Sequence, residues 1–150
     1  PGLPQDMERV PINLPVLITE LRRDEGLRLK PYRCSAGKLS IGIGRNLDDV
    51  GISVEEAEYL LKNDIDRAVA DLDRALPWWR TLDEVRQRVL VNLCFNVGIT
   101  KLLGFKRTLR FVKDAQYEAA AQALKASLWH RQVGPRALRL EAMMRTGMEP

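Results

Sequence analysis

The most constraining feature of this sequence is a change of hydrophobic period at Gly26, where a helical pattern gives way to an alternating one. Asn13 can cap a helix here, Pro15 suits its first turn, and Gly26 supplies the left-handed residue that commonly ends one. Glu25 then belongs to the last turn and faces the negative end of the helix dipole, which favours the protonated carboxyl group that a general acid needs. Apolar residues at helical spacing predict one stripe that packs inward: Leu14, Leu17, Ile18 and Leu21.

The alternating part of the same segment predicts a short strand and a hairpin. Leu39, Ile41 and Ile43 alternate with small or polar residues, which is typical of a strand with one packed face, and residues 35–38 form the turn before it. A hairpin of this kind brings Cys34 and Ser40 towards one surface. The chain reversal at Gly26 lets Glu25 face them, so we expect a cleft between the helix end and the hairpin.

The run D-E-G-L-R-L-K-P-Y-R-C-S-A-G-K-L-S-I-G-I-G-R at 24–45 separates Glu25 from Cys34 by eight residues and Cys34 from Ser40 by five. It resembles the active-site segment of the T-even phage lysozymes, glycoside hydrolase family 24, in which Glu, Asp or Cys, and Thr stand at the same intervals. The motifs L-D-E-V-R, N-L-C-F-N-V-G, P-R-A and R-T-G also follow in the family's order, so the resemblance covers roughly residues 14–147.

This resemblance implies an α+β, mostly helical, lysozyme-like fold with two lobes. The smaller lobe carries the β-hairpin, and the larger lobe is helical and surrounds a central apolar helix. The activity it implies is hydrolysis of the β-1,4 bond between N-acetylmuramic acid and N-acetylglucosamine in peptidoglycan, which causes bacterial lysis. No cofactor and no metal are implied.

The resemblance also implies catalytic roles for Glu25, Cys34 and Ser40. Glycoside hydrolysis usually employs two carboxyl groups, and here the second position holds a thiol. A thiol serves only when it is partly thiolate, which we expect from positive neighbours at Arg33 and Lys38 or at Arg45, the residue replacing the family's His. The thiolate would then deprotonate the water or stabilise the charge on the sugar, and Ser40 would hold the water. Considered singly, Cys34 and Ser40 would be ordinary turn and strand residues.

Three further candidate site residues follow from the same alignment with the family's motifs. Phe95 is similar to an aromatic residue that lines the sugar cleft, and Thr108 to a hydroxyl residue that contacts substrate from the larger lobe. Both are equally compatible with ordinary packing. Arg136 stands where the family has an arginine paired with the catalytic Glu, so we expect it to support Glu25.

Three alternatives remain open at this point. In a lytic transglycosylase, Glu25 would act alone as acid and then base and would leave anhydro-muramic ends. A cell-wall-binding module would keep the cleft without turnover, but retention of Glu25 and a hydroxyl argues against it. A nucleic-acid-binding role ranks last, because the basic residues are spread among acidic ones without interleaved aromatic residues.

Length and charge limit the possible domain organisation and cellular setting of the chain. A chain of 150 residues, 45% hydrophobic and 29% charged, suits one compact catalytic domain at 13–150, preceded by a proline-broken arm or linker at 1–12. A net charge of +4 suits an approach to the anionic bacterial envelope. No apolar run nears the roughly 20 residues of a membrane span, and no signal peptide is seen. We therefore expect a monomeric phage lysin that acts on peptidoglycan strands, released through a holin or carried as a virion-protein domain.

The remainder of the chain is helical by pattern, and its two cysteines, Cys34 and Cys94, are expected to be free thiols. Ser53 and Glu56 form a capping box for a helix that runs to Ala75, and Thr81 with Glu84 forms a second box for the core helix that ends at Gly98. Further helices are predicted at 106–113, 115–126 and 135–146. The inward residues are predicted to be Leu60, Ile65, Val69 and Leu72 in the first helix, and Val85, Val89, Leu90, Leu93 and Cys94 in the second.

Overall fold

The computed structural model describes residues 11–127 and 134–150. The chain divides into two compact units, Pro1–Ala57 and Glu58–Pro150. The described part of the first unit contains a helix and a three-stranded antiparallel sheet, and the second unit is helical. This confirms the α+β, mostly helical class. Most of the predicted arm, residues 1–10, lies outside the described residues, so its boundary with the catalytic domain stays a prediction.

Helix α1, Leu14–Glu25, begins and ends where the sequence predicts. The Asn13 Oδ1 atom accepts a hydrogen bond from the Val16 N–H at 3.2 Å. Gly26 ends the helix with φ 77° and ψ 169°, a positive φ outside the compact left-handed region. The prediction of an inward apolar stripe is wrong, because α1 has no buried residue and Leu14 and Ile18 are 59% and 50% exposed. The short strands of this unit offer too little apolar surface to cover the helix.

The sheet is formed by β1, Arg28–Arg33, β2, Leu39–Gly42, and β3, Arg45–Asn46, in that order. The predicted turn closes β1 and β2, with the Gly37 N–H donating to the Cys34 carbonyl at 2.8 Å. The predicted packed face is wrong: Ser40 is buried, whereas Leu39 and Ile41 are only partly covered and Ile43 is exposed. Ser40 is buried because the turn at 34–38 folds over its side of the middle strand.

Helix α2, Val54–Ala75, begins with the predicted capping box. The Glu56 N–H donates to the Ser53 hydroxyl at 3.1 Å, and the Ser53 N–H donates to the Glu56 carboxylate at 2.9 Å. The inner face is confirmed only towards the C-terminal end, where Leu72 is buried and Val69 packs against the core. Leu60 and Ile65 are exposed, because only the C-terminal part of α2 packs against the core of the second unit.

Helix α3, Glu84–Val97, is the core helix that the sequence predicts. Val89, Leu90, Leu93 and Cys94 are buried, and Val85 packs against them. Its cap is Asp83, which accepts from the Arg86 N–H at 3.1 Å, and not the predicted Thr81. The Thr81 hydroxyl donates instead to the Trp78 carbonyl at 2.7 Å, within a short 3₁₀ helix at Pro77–Thr81.

Four helices complete the second unit: α4, Ile99–Leu103; α5, Lys106–Lys113; α6, Tyr117–Ala126; and α7, Pro135–Thr146. The last three confirm the predicted helices, and Gly147 ends α7 in the left-handed conformation at φ 67°. Helix α4 escaped prediction because five residues are too few to show a period. Among the helices in the described ranges, none combines the length and apolar character needed to cross a bilayer.

Candidate active site

Glu25 lies at the last position of α1, and its carboxyl group lies against the turn between β2 and β3. A Cβ atom added to Gly44 would come within 2.6 Å of the Glu25 Oε2 atom and 3.0 Å of Cδ. Gly44 also has φ +71°, a conformation that residues with a Cβ rarely adopt. The backbone therefore favours glycine at position 44, and a residue with a Cβ there would displace the neighbouring Glu25 carboxyl group.

Cys34 precedes the turn that joins β1 to β2, and the turn wraps around its sulfur. The backbone N–H of Lys38, followed by that of Ala36, lowers the pKa of the Cys34 thiol, with a smaller contribution from the Ser40 hydroxyl. Partial burial opposes these effects. We call these donors the thiolate seat: the N–H groups of Ala36 and Lys38 and the hydroxyl of Ser40. The seat favours a partly ionised sulfur.

The direction of this pKa shift agrees with the sequence analysis, but the predicted cause is wrong. The three cations expected to lower the pKa are each engaged with a carboxylate in the same unit. Arg33 lies 3.7 Å from Asp48, Lys38 lies 3.1 Å from Asp49, and Arg45 pairs with Glu56 at 2.7 Å. Fixed backbone dipoles, rather than side-chain cations, stabilise the thiolate.

Ser40 is buried, at 3% exposure, in the middle strand. Its single hydroxyl proton has two acceptors within reach, the Lys38 carbonyl oxygen at 3.3 Å and the Cys34 sulfur, whose pKa it helps to lower. Cys34 and Ser40 are therefore brought together, as the hairpin predicts. The predicted water-holding role stays a prediction, whereas the contact with the thiol is part of the structure.

Phe95, in the second unit, is 43% exposed and lines a cavity of 480 Å³. Leu61, Ile65 and Val91 give this cavity apolar walls, and Asn92 and Arg136 give it a polar end. The Arg136 Nε–H donates to the Asn92 Oδ1 atom at 2.8 Å, which fixes the direction of the guanidinium group. The expected pairing of Arg136 with Glu25 would link the two units and stays a prediction.

Thr108 is buried in α5 at 5% exposure and lines a separate, smaller cavity of 190 Å³ with Phe105 and Ser127. The structure does not place it in the cavity of Phe95. Its packed position agrees with the packing interpretation of the sequence, and its predicted contact with substrate is untested.

Neither cysteine forms a disulfide, as predicted. Burial raises the pKa of the Cys94 thiol, helped by the charge of Asp71, so this cysteine contrasts with Cys34. Within the described ranges, no group of three or more His, Cys, Asp or Glu side chains is arranged to hold a metal ion.

Comparison with known proteins identifies the family to which this chain belongs. The family model described as phage lysozyme matches residues 22–145, which is most of the chain and includes Glu25, Cys34 and Ser40. The chain belongs to the phage lysozyme family. Members of this family are glycoside hydrolases that degrade peptidoglycan, and the two-unit, mostly helical architecture of this phage lysozyme agrees with that assignment.

Individual relatives of this phage lysozyme include proteins of similar length and one protein that is much longer. It is 26% identical to "Probable T4-type lysozyme 1" of Dictyostelium discoideum, over 85% of this chain and 92% of that protein. It is 32% identical to the endolysin of Salmonella phage P22, over 76% and 80% respectively. It is also 30% identical to the pre-baseplate central spike protein Gp5 of Enterobacteria phage T4, over 85% of this chain but only 27% of that protein.

Two residues that adjoin individual predicted site residues were not identified as functional from the sequence. Gly44 adjoins the Glu25 carboxyl group, and the I-G-I-G motif at 41–44 was a signal that could have identified it. Asn92 anchors Arg136, but the two residues are 44 positions apart, so no local pattern connects them.

Proposed function

We propose that this phage lysozyme is a muramidase that hydrolyses the β-1,4 bond between N-acetylmuramic acid and N-acetylglucosamine. The observation that carries the proposal is the arrangement within the first unit. An exposed carboxyl group is held against the Gly44 turn, and a thiol of lowered pKa lies in the thiolate seat on the same small sheet. These are the residues at the family's catalytic intervals.

Glu25 is the general acid in this proposal. It is exposed, so a sugar ring can reach it, and it lies at the C-terminal end of α1. Its proton passes to the glycosidic oxygen as the bond between that oxygen and the anomeric carbon breaks. The Gly44 turn limits where the carboxyl group can lie, which supports a defined direction of proton transfer.

Cys34 is the general base. Its thiolate takes a proton from a water molecule, whose oxygen forms the new bond to the anomeric carbon. The reaction then leaves a neutral thiol and a glutamate carboxylate, and proton exchange with solvent restores the starting forms. The Ser40 hydroxyl supports this role by donating to the thiolate rather than by contacting open solvent.

The charge distribution of the second unit suits a polyanionic wall as partner. Residues 101–125 contain six basic and two acidic side chains, a net +4 that equals the charge of the whole chain. Lys106, Arg107, Arg110 and Lys113 are exposed on α5 and form no ion pair with a carboxylate in the described part of the chain. We call these four side chains the basic face. It supports a phage lysin that adheres to the anionic cell wall, and the proposed working form is the monomer.

The test is digestion of purified peptidoglycan by the wild type and by Glu25→Gln, with mass spectrometry of the released muropeptides. We expect reducing muramic ends that depend on Glu25. Anhydro-muramic ends would replace the proposal with a transglycosylase, and the absence of Glu25-dependent products would leave a binding module.

The role of Cys34 is tested by two substitutions. Cys34→Ala should lose most turnover, whereas Cys34→Asp should retain much of it, because the thiolate seat stabilises either anion. Full activity in the Ala variant would remove Cys34 from the mechanism.

A further inference from the structure

We propose that Arg45 and Glu56 act as a positioning clasp for catalysis, holding the Gly44 turn against the carboxyl group of Glu25. This inference rests on the proposed function of Glu25 as the acid. It assigns a role to the position where this chain has Arg in place of the His of the T-even enzymes. Neither residue of the clasp contacts the reacting atoms in this account.

The clasp is a bidentate ion pair with a third anchor. The Arg45 Nη1 and Nη2 atoms lie 2.7 Å from the Glu56 Oε1 and Oε2 atoms, and Nη1 also donates to the Gly51 carbonyl at 3.1 Å. Paired hydrogen bonds between a guanidinium and a carboxylate fix direction as well as distance. Arg45 is therefore held in one orientation, although both side chains are partly exposed.

Glu56 is itself fixed at the start of α2. Its Oε1 atom accepts the Ser53 N–H at 2.9 Å in the capping box, so the carboxylate joins the helix start to β3. The Arg45 guanidinium, followed by the Ser53 N–H, lowers the pKa of Glu56 to about 2. The pair is therefore charged throughout the range in which a lysozyme would be assayed.

The Gly44 turn depends on this connection because β3 is short. The strand contains only Arg45 and Asn46, and its register with β2 consists of the pairs Ser40–Asn46 and Ile41–Arg45. Arg45 follows Gly44 directly, so the position of its backbone sets the position of the turn. Two residue pairs and the hydrogen bond from the Leu47 N–H to the Leu39 carbonyl at 2.8 Å hold this strand on β2, and the clasp adds a side-chain anchor to the start of α2.

The Glu25 carboxyl group depends in turn on Gly44. Helix α1 has no buried residue, so core packing does not hold the catalytic end of the helix in place. The close approach between the Glu25 Oε2 atom and Gly44 is the contact that limits the carboxyl group on the hairpin side. If the turn moves, the acid loses this limit, and misplacement by about 1 Å is enough to reduce the rate of a chemical step up to about 100-fold.

The test compares Arg45→Met, Arg45→Lys, Glu56→Gln and the double variant Arg45→Met/Glu56→Gln with the wild type on soluble peptidoglycan fragments. We expect kcat to fall by about 10- to 100-fold in Arg45→Met, with KM changed by less than about twofold. Glu56→Gln keeps an oxygen for the Ser53 N–H, so the capping box survives and a smaller loss is expected. The double variant should be no worse than Arg45→Met, because one connection is lost in both. Arg45→Lys keeps the charge without the fork, so it should fall between wild type and Arg45→Met.

The matched control is the pair Lys62–Asp66, an exposed ion pair at 3.4 Å on the same helix α2. Lys62→Met and Asp66→Asn should leave kcat unchanged. Folded Arg45 and Glu56 variants that also keep the wild-type kcat would overturn the inference. If the ion pair had a purely structural role, these substitutions would lower the melting temperature without changing kcat.

A second readout needs no substrate and keeps the two proposals separable. Hydrogen exchange of the Leu47 amide, which donates to the Leu39 carbonyl at 2.8 Å directly after β3, should accelerate at least about tenfold in Arg45→Lys, the mildest variant at this position, relative to the Lys62→Met control. Unchanged exchange would refute the clasp. If digestion of peptidoglycan by the wild type gave no Glu25-dependent products, the proposed function would be refuted. The hydrogen-exchange result would then still test whether Arg45 and Glu56 hold the Gly44 turn.

Discussion

Replacing Gly44 by Ala should displace Glu25, the proposed catalytic acid, without removing any functional group. The added Cβ would lie 2.6 Å from the Glu25 Oε2 atom, and ordinary contacts begin near 3.4 Å, so the oxygen must move by about 0.8 Å. The Glu25 side chain is flexible enough to do so. Its proton donor then lies outside the productive geometry, and we expect kcat to fall by about 10- to 100-fold.

The same substitution also strains the backbone, which must be separated from the effect on the acid. A residue with a Cβ at φ +71° costs about 1–2 kcal/mol, which corresponds to a fall of about 2–8 °C in melting temperature for a chain of this size. Gly42 has nearly the same φ, +73°, but a Cβ there would meet no atom within 4 Å. Gly42→Ala is therefore a matched control for the strain.

The assay measures kcat on soluble peptidoglycan fragments well below both melting temperatures. Gly42→Ala and Gly44→Ala should lose similar stability, whereas only Gly44→Ala should lose most of its turnover. Equal kcat values in the two variants would refute the argument that the Gly44 turn sets the position of the Glu25 carboxyl group.

Three further predictions concern charge. Because the pKa of Cys34 is lowered, iodoacetamide should alkylate it at a lower pH than an ordinary thiol, whereas the buried Cys94 should stay unreactive until the protein unfolds. Mass spectrometry of the labelled peptides distinguishes the two cysteines. Equal labelling of both would contradict the thiolate seat. Because the pKa of Glu56 falls from 4.5 to about 2 on folding, its contribution to stability is complete above pH 4.5 and is lost as the pH falls towards 2. Acid titrations followed by circular dichroism should therefore show a smaller loss between pH 4.5 and 2 in Glu56→Gln, and an identical profile would oppose this assignment. Charge reversal at Arg110 and Lys113 should weaken sedimentation with insoluble peptidoglycan at low salt, without changing kcat on soluble fragments; unchanged sedimentation would exclude the basic face from wall binding.

Most helices from α2 onward could be predicted because their signals are local. The capping box of Ser53 and Glu56, Pro135 at the start of α7 and Gly147 at its end all act within one turn of the chain. The apolar period of α3 identified the core for the same reason. Thr81 and Asp83 compete as caps only two residues apart, and the 3₁₀ helix that decides between them has no sequence period.

The failures in the first unit have a common physical origin. Periodicity shows which residues share a face, but it does not show whether enough surface exists to cover that face. Leu14 and Ile18 share a face and remain exposed, and in β2 the side that is covered carries Ser40. The order of Glu25, Cys34 and Ser40 along the chain was readable, whereas the ion pairs that occupy Arg33, Lys38 and Arg45 depend on residues up to 15 positions away.

The thiolate seat has a consequence for enzyme engineering. Because backbone amides supply most of the stabilisation of the anion, the seat should stabilise a negative charge on sulfur or on oxygen. Sulfur and oxygen anions of suitable reach should both be accommodated, so exchange between Cys and Asp would require few compensating substitutions. Amide dipoles at hydrogen-bond distance are also screened by dissolved ions far less than separated surface charges are. The thiol at this position should therefore stay ionised in concentrated salt. In a catalytic thiol that depends on an ion pair, the same salt would weaken the pair and raise the pKa.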